Sequence, residues 1–273
     1  MATRSSRSRL DHLVNIGWSG KLVLPIILIC ALYQGNNMQA FSAPTGAGPG
    51  SILPPGNWTL VVNDEFTGAR LDTNMWETIP DATIRNGSDY IVNSRALSFG
   101  AGLLTISGFD ASGLPGNWKN SSGGGEIQSR ARYGNGYYEA RVKAGPSGWG
   151  VFWVIGDNYD CRGDATHGFE ADILESIGGG AQNNVHWGGY RNCHRQSPTP
   201  VATGIDDFHV WGMLYDADKG LIFYRDGVQT KHFPGPAGTT RMFIKLTNAS
   251  VHNTADSRQS QLVIDWVRYY RRK

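Results

Sequence analysis

The 273-residue sequence predicts an all-β protein, a two-sheet β-jelly-roll sandwich. Three observations lead there. Short runs of strand-like composition follow one another between turn clusters, sustained 3.6-residue periodicity is scarce, and 36 glycines supply the turns. A series of strands with almost no helix must bury its apolar faces sheet on sheet, and a jelly roll does so while protecting the sheet edges. With 40% hydrophobic and 11% aromatic residues, the chain can build one substantial core.

Taken in order, residues 1–40 read as an export signal. Basic residues precede Leu22–Tyr33, an apolar run of 12 residues that is short for a membrane span and suits a signal peptide. Small residues at Ala40, Ser42 and Ala43 offer cleavage positions. The long basic lead leaves an uncleaved N-terminal anchor as the alternative to a secreted product with no stable membrane association. Residues 41–56 (FSAPTGAGPGSILPPG) read as a Pro/Gly/Ser-rich linker. Residues 57–273 then form a single domain, expected to be a monomer, with no internal repeat.

Within that domain the expected strands are 58–63, 90–93, 103–109, 125–132, 137–143, 151–155, 169–177, 184–190, 208–215, 221–225, 242–246 and 262–270. Gly178-Gly179-Gly180 reads as a hairpin turn, which makes 184–190 the antiparallel neighbour of 169–177. Cys30 lies in the signal, leaving Cys161 and Cys193 near the open end of that hairpin. In an exported protein such a pair is a disulfide candidate. The first 40 residues hold four basic groups (Arg4, Arg7, Arg9, Lys21) and one acid (Asp11), so the remainder carries 21 basic and 22 acidic residues. A nearly neutral body gives no electrostatic grip on phosphates and excludes a nucleic-acid partner held that way.

The chemistry concentrates in Phe169-Glu170-Ala171-Asp172-Ile173-Leu174-Glu175. On a strand, Phe169, Ala171 and Ile173 face one way, and Glu170 and Asp172 the other. Strict alternation sends Glu175 to the wrong face. A β-bulge at Ile173–Leu174 would return it, so that three carboxyls line one face. Crowding of like charge raises at least one carboxyl pKa, and a nucleophile paired with a proton donor, both carboxyls, is what glycosidic bond cleavage needs. A solvated acidic stripe accounts for the heptapeptide equally well. Trp149 and Trp153, four apart on one strand, make either a sugar-stacking wall beside the carboxyls or two core aromatics. His186 and Trp187 lie on the neighbouring strand, one facing the cleft and the other the core, and both are candidate substrate contacts. Beside three carboxyls, His186 could hold a hydrogen-bonded proton near neutral pH.

The chain resembles the glycoside hydrolase family 16 enzymes, which include laminarinases, lichenases, agarases and carrageenases. Glu170-Ala-Asp172-Ile-Leu-Glu175 looks like the bulged form of that family's acidic motif. Asn63-Asp-Glu-Phe-Thr-Gly68 with Leu71-Asp72 and Trp76, Gly124-Gly-Glu-Ile-Gln-Ser-Arg130 with Tyr138-Glu-Ala-Arg141, and Gly150-Val-Phe-Trp153 resemble its earlier strands. Asp207-Phe-His-Val-Trp211, Phe223-Tyr-Arg-Asp-Gly227 and Ile264-Asp-Trp-Val-Arg268 resemble its later ones, in order. The resemblance implies a jelly roll with a concave substrate cleft and a retaining mechanism on a polysaccharide. Glu170 would be the nucleophile, Glu175 the general acid and then base, and Asp172 the residue that tunes Glu170. It implies no required cofactor, but one structural Ca²⁺ on the convex side, with Asp265 as ligand and Glu65 as neighbour. Asn184-Val-His-Trp-Gly-Gly189 looks like a laminarinase strand, so a β-1,3- or β-1,3(4)-glucan is the expected substrate, with a sugar-binding protein without activity, a transglycosylase or a galactan hydrolase as alternatives.

Overall fold

The structure, a computed structural model, describes residues 47–85, 90–114, 122–156, 169–177, 179–187, 194–196, 200–234, 240–250 and 260–273. All of them belong to the unit Phe41–Lys273, and the expected signal lies outside the described residues. Among the described residues no helix is long and apolar enough to cross a membrane.

Two sheets account for nearly everything described. The first runs Val228–Phe233, Gly220–Arg225, His209–Asp216, Gly136–Ala144, Gln261–Arg272, Leu103–Ser107 and Leu97–Gly100, with Trp58–Asp64 paired to Gln261–Arg272. The second runs His194–Gln196, Gly180–Trp187, Phe169–Ile177, Trp149–Gly156, Met242–Ala249, Ser122–Ser129, Tyr90–Val92 and Ile84–Arg85. Pro200–Thr203 joins this sheet at Gly180–Trp187, and Trp76–Thr78 and Phe109–Asp110 join at Ser122–Ser129. Pairing is antiparallel except where Tyr90–Val92 runs parallel to Ser122–Ser129.

The core lies between the sheets because each strand's alternate residues are apolar. Phe152, Val154, Ala171, Leu174 and Val185 of the second sheet belong to one buried cluster with Tyr138, Val142, Met213 and Phe223 of the first. Phe169 meets Tyr215 across the interface, edge to face at 5.3 Å. Each such large side chain contributes about 1.5–3 kcal/mol when fully buried.

The expected strands did not include Trp76–Thr78, Ile84–Arg85, Leu97–Gly100, His194–Gln196, Pro200–Thr203 or Val228–Phe233, and the expected linker changes as well. The strand Val228–Phe233 was not expected, although the Asp226-Gly227 turn before it signals a hairpin: both residues are left-handed, at φ 50° and 77°. The stretch expected as a linker over 41–56 is, from Gly48 on, a strap fixed to the outside of the first sheet. The Tyr270 hydroxyl accepts from Gly48 N at 3.0 Å and lies 2.5 Å from Ser51 Oγ. Arg268 donates to Pro49 O at 2.6 Å and to Ser51 Oγ at 2.7 Å, Tyr137 donates to Ile52 O, and Trp58 donates to Pro54 O. Leu53 is buried in a second cluster with Trp58, Tyr137, Leu214 and Tyr270. Proline and glycine suit a strap as well as a linker, since they remove or free backbone groups that a sheet would otherwise demand.

Candidate active site

The acidic strand carries the bulge that its spacing calls for. Against Trp149–Gly156, Asp172 pairs with Trp153 and Leu174 with Phe152, so Ile173 is the additional residue. Against Gly180–Trp187, Asp172 pairs with Asn184 and Glu175 with Gln182, leaving Ile173 and Leu174 opposite Asn183 alone. Glu175 therefore returns to the face of Glu170 and Asp172. A bulge leaves a backbone group out of the ladder, and burying it unpaired is costly. Here the fully buried Asn183 donates from Nδ2 to Ile173 O at 2.6 Å. Thr230 Oγ1, from the opposite sheet, donates to Asn183 Oδ1 at 2.7 Å and sets the amide's direction.

The three carboxyls have different surroundings. Glu175 accepts from Trp149 Nε1 at 2.8 Å, from Gln182 Nε2 at 2.6 Å and from Asn184 Nδ2. Those contacts fix its position at the floor, where it is 8% exposed. Asn184 Oδ1 is buried without a partner among the described residues. Among the described residues Glu170 has no comparable set of donors. Burial first, then the neighbouring Asp172 charge, push its carboxyl up to about 8, against the pull of His186 and Lys245. His186 Nε2 stands 3.8 Å from Glu170 Oε1 and 3.6 Å from Asp172 Oδ2, so the three groups form one cluster.

Of the expected aromatic contacts, Trp149 and Trp153 lie on the carboxyl face, both half-buried. Trp153 Nε1 donates to Thr247 Oγ1 at 2.9 Å. Trp187 does not share that face and is corrected: alternation turns it to the core side, where its ring meets Phe233 at 4.7 Å. Of the expected metal residues, Asp265 is held by Arg141 at 2.5 Å and Glu65 by Arg268 at 2.6 Å. Each carboxylate is already neutralised by a guanidinium, a poor fit to a calcium site, which needs several oxygens turned to one point. Cys161 and Cys193 lie outside the described residues.

Asn184, Gln182, Asn183, Lys245 and Glu126 complete the site and were not singled out in the sequence. Asn184 and Gln182 could have been found by counting back from the glycine turn with the bulge included. Lys245 is the one charge inside the expected strand 242–246, and Glu126 stands in Gly124-Gly-Glu-Ile.

Comparison with known proteins bears on the family and the fold. The family "Glycosyl hydrolases family 16" matches residues 93–268. Beta-porphyranase B of Zobellia galactanivorans is 26% identical over 219 residues, covering 71% of this chain and 74% of that protein. Beta-porphyranase E of the same organism is 27% identical over 252 residues, covering 76% and 85%. The X-ray structure of an endo-beta-1,3-glucanase from Pyrococcus furiosus superposes with a TM-score of 0.65 at 21% identity, covering 79% of this chain and 95% of that one.

Proposed function

The chain belongs to glycoside hydrolase family 16, and from that premise we propose that it is a secreted, retaining endo-hydrolase of a β-linked polysaccharide. The observation that carries the proposal is the bulge at Ile173–Leu174, which puts Glu170, Asp172 and Glu175 on one face. In the first step Glu170 attacks the anomeric carbon while Glu175 gives its proton to the departing glycosidic oxygen, leaving a glycosyl-enzyme ester. In the second, Glu175 takes a proton from water as the water displaces Glu170 with retained configuration. Glu170 must be ionised to attack, and His186 and Lys245 are the neighbours that favour its charged form. A half-turn of the Asn184 amide would bring its unpartnered Oδ1 to Glu175 in place of Nδ2, which is the contact a protonated Glu175 needs.

A β-1,3- or mixed β-1,3/1,4-glucan is the first substrate reading. It is supported by the charges on the carboxyl sheet, where Lys245 is paired with Glu126 and Arg130 with Glu77, so these cations are already occupied. A β-linked galactan is the second, favoured by the two porphyranase relatives. The chemistry asks for no cofactor, and the single domain needs no partner chain.

The test is product formation from laminarin, lichenan, agarose, porphyran and κ-carrageenan, with Glu170→Gln as control. NMR of the first-formed anomer reads the stereochemistry. Oligosaccharides from one polymer, β-configured when first released and absent with Glu170→Gln, would establish substrate and mechanism together. Tight binding without cleavage of any polymer would overturn the hydrolase reading in favour of a sugar-binding protein.

A further inference from the structure

The carboxyl face holds a buried ion pair whose only part in the proposed reaction is the pull of the Lys245 charge on Glu170. Lys245 and Glu126 are 5% and 2% exposed, and the Lys245 ammonium is in contact with Glu126 Oε1. Tyr90 donates from its hydroxyl to Glu126 Oε2 at 3.3 Å. Lys245 is opposite Trp153, and Trp153 is opposite Asp172, so the three make one row running across the strands into the carboxyl cluster. The Lys245 ammonium lies 4.4 Å from the centre of the Trp153 ring, and the ring's N–H is bound to Thr247.

A buried ion pair is a weak source of stability, because desolvation of both charges offsets much of their attraction. Apolar replacement of such pairs is often neutral or favourable. A pair kept on the floor of a cleft therefore calls for another role. An indole gripped at its N–H and covered on a face by a cation has little freedom left, and a flat, immobile ring beside an acidic centre is what a pyranose needs for stacking. We infer that Lys245, anchored by Glu126, is a positioning residue that locks the Trp153 ring as the platform for the sugar unit lying beside Asp172. This rests on the glycosidase reading above. It adds that platform order, and with it substrate affinity, depends on a charge pair that touches neither the sugar nor the scissile bond.

The test compares the wild type with Lys245→Met/Glu126→Gln, which removes both charges of the pair together, and with Lys245→Arg. The first readout needs no substrate: hydrogen exchange of the Trp153 indole N–H in ¹⁵N-tryptophan-labelled protein, its resonance assigned with Trp153→Phe. The second is the split between KM and kcat on the polymer the wild type cleaves. In the double variant, with an unchanged melting profile, indole exchange should quicken about tenfold and KM rise about tenfold with kcat, each enzyme read at its own pH optimum because Lys245 also pulls on Glu170, within about threefold, as loss of uniform binding requires. Lys245→Arg should return both quantities to within about twofold of wild type, since a guanidinium keeps the charge and stacks on indole.

Unchanged indole exchange in a folded double variant overturns the inference, and so does a fall in kcat at constant KM. Failure of the hydrolase reading is seen separately, in a wild type that cleaves nothing, and the exchange measurement still decides the role of Lys245 in that case.

Discussion

Glu170, half-buried on the carboxyl face, and Glu139, fully buried beneath the strap, are two carboxyls of the same molecule. Burial raises both, Glu170 to about 8. The difference lies in what surrounds them. Around Glu139 the next influences, Ser51, Ile52, Arg268 and Tyr270, all favour the charged form, led by hydrogen bonds from Ser51 and the Ile52 amide. Around Glu170 the next influence after burial is another carboxyl, Asp172, and Glu175 adds to it. Desolvation alone thus does not mark a reactive group. Glu139 serves as an anchor that gathers donors from a crossing segment, whereas Glu170 is held against its own kind, and only the second arrangement makes protonation easy to exchange.

The largest effect should separate these two carboxyls directly. Glu170→Gln and Glu175→Gln should each lower kcat/KM by about a thousandfold or more, because each removes a group acting in the bond-breaking step. Glu139→Gln should leave kcat/KM within about twofold. A Glu139→Gln enzyme as inactive as Glu170→Gln would break the distinction between anchor and reactive group.

Next in size is the anchor itself. Arg268, 1% exposed, donates to Asn63, Glu65, Pro49 and Ser51 and lies over Trp266 at 4.0 Å. Arg268→Ala should cost about 3–5 kcal/mol in denaturant unfolding, since it strips a buried charge from its partners. Activity per folded molecule should hold, because every one of those contacts lies on the first sheet and its strap. A chain beginning at Asn57 tests the same region by another route. It loses Leu53 and the strap's hydrogen bonds, and should unfold about 2–3 kcal/mol more easily than one beginning at Ala47.

The two regions were not equally legible in the sequence. Alternation in residues 169–175 required a bulge to bring Glu175 round, and the bulge is present because that requirement is local: three carboxyls within six residues leave few ways to share a face. The glycine turn fixed the neighbouring strand for the same reason. The strap could not be read, because its partners Glu139, Arg268 and Tyr270 are far along the chain and Gly-Pro-Gly-Ser composition suits a free linker equally well. Asn183 was hidden similarly. Its value depends on a bulge carbonyl ten residues back and on Thr230 in the other sheet. Trp187 failed for a different reason, since alternation left open which of two adjacent residues faced the cleft.

The smallest expected effect is a pH dependence of stability, which runs the same way for both carboxyls because both are raised above the ordinary glutamate value. In the folded protein Glu170 keeps its proton up to about 8, whereas an ordinary glutamate, as in the unfolded chain, gives it up near 4.5. Between those values the folded state binds the proton and the unfolded state does not, so stability is fully present below about pH 4.5 and falls as pH rises toward 8. Glu170→Gln removes this loss. With the wild-type side chain 22% exposed, solvent moderates the effect, and the variant should be about 2 kcal/mol more stable than wild type at pH 8, the gap closing toward pH 4.5. Urea unfolding at the two pH values measures it. A Glu170→Gln protein that is less stable than wild type at pH 8 would mean that favourable partners outweigh burial and the Asp172 charge at Glu170. A gain that grows from pH 4.5 to pH 8 would mean that the cleft keeps its nucleophile at a cost in stability, as expected where a reactive carboxyl is placed among others.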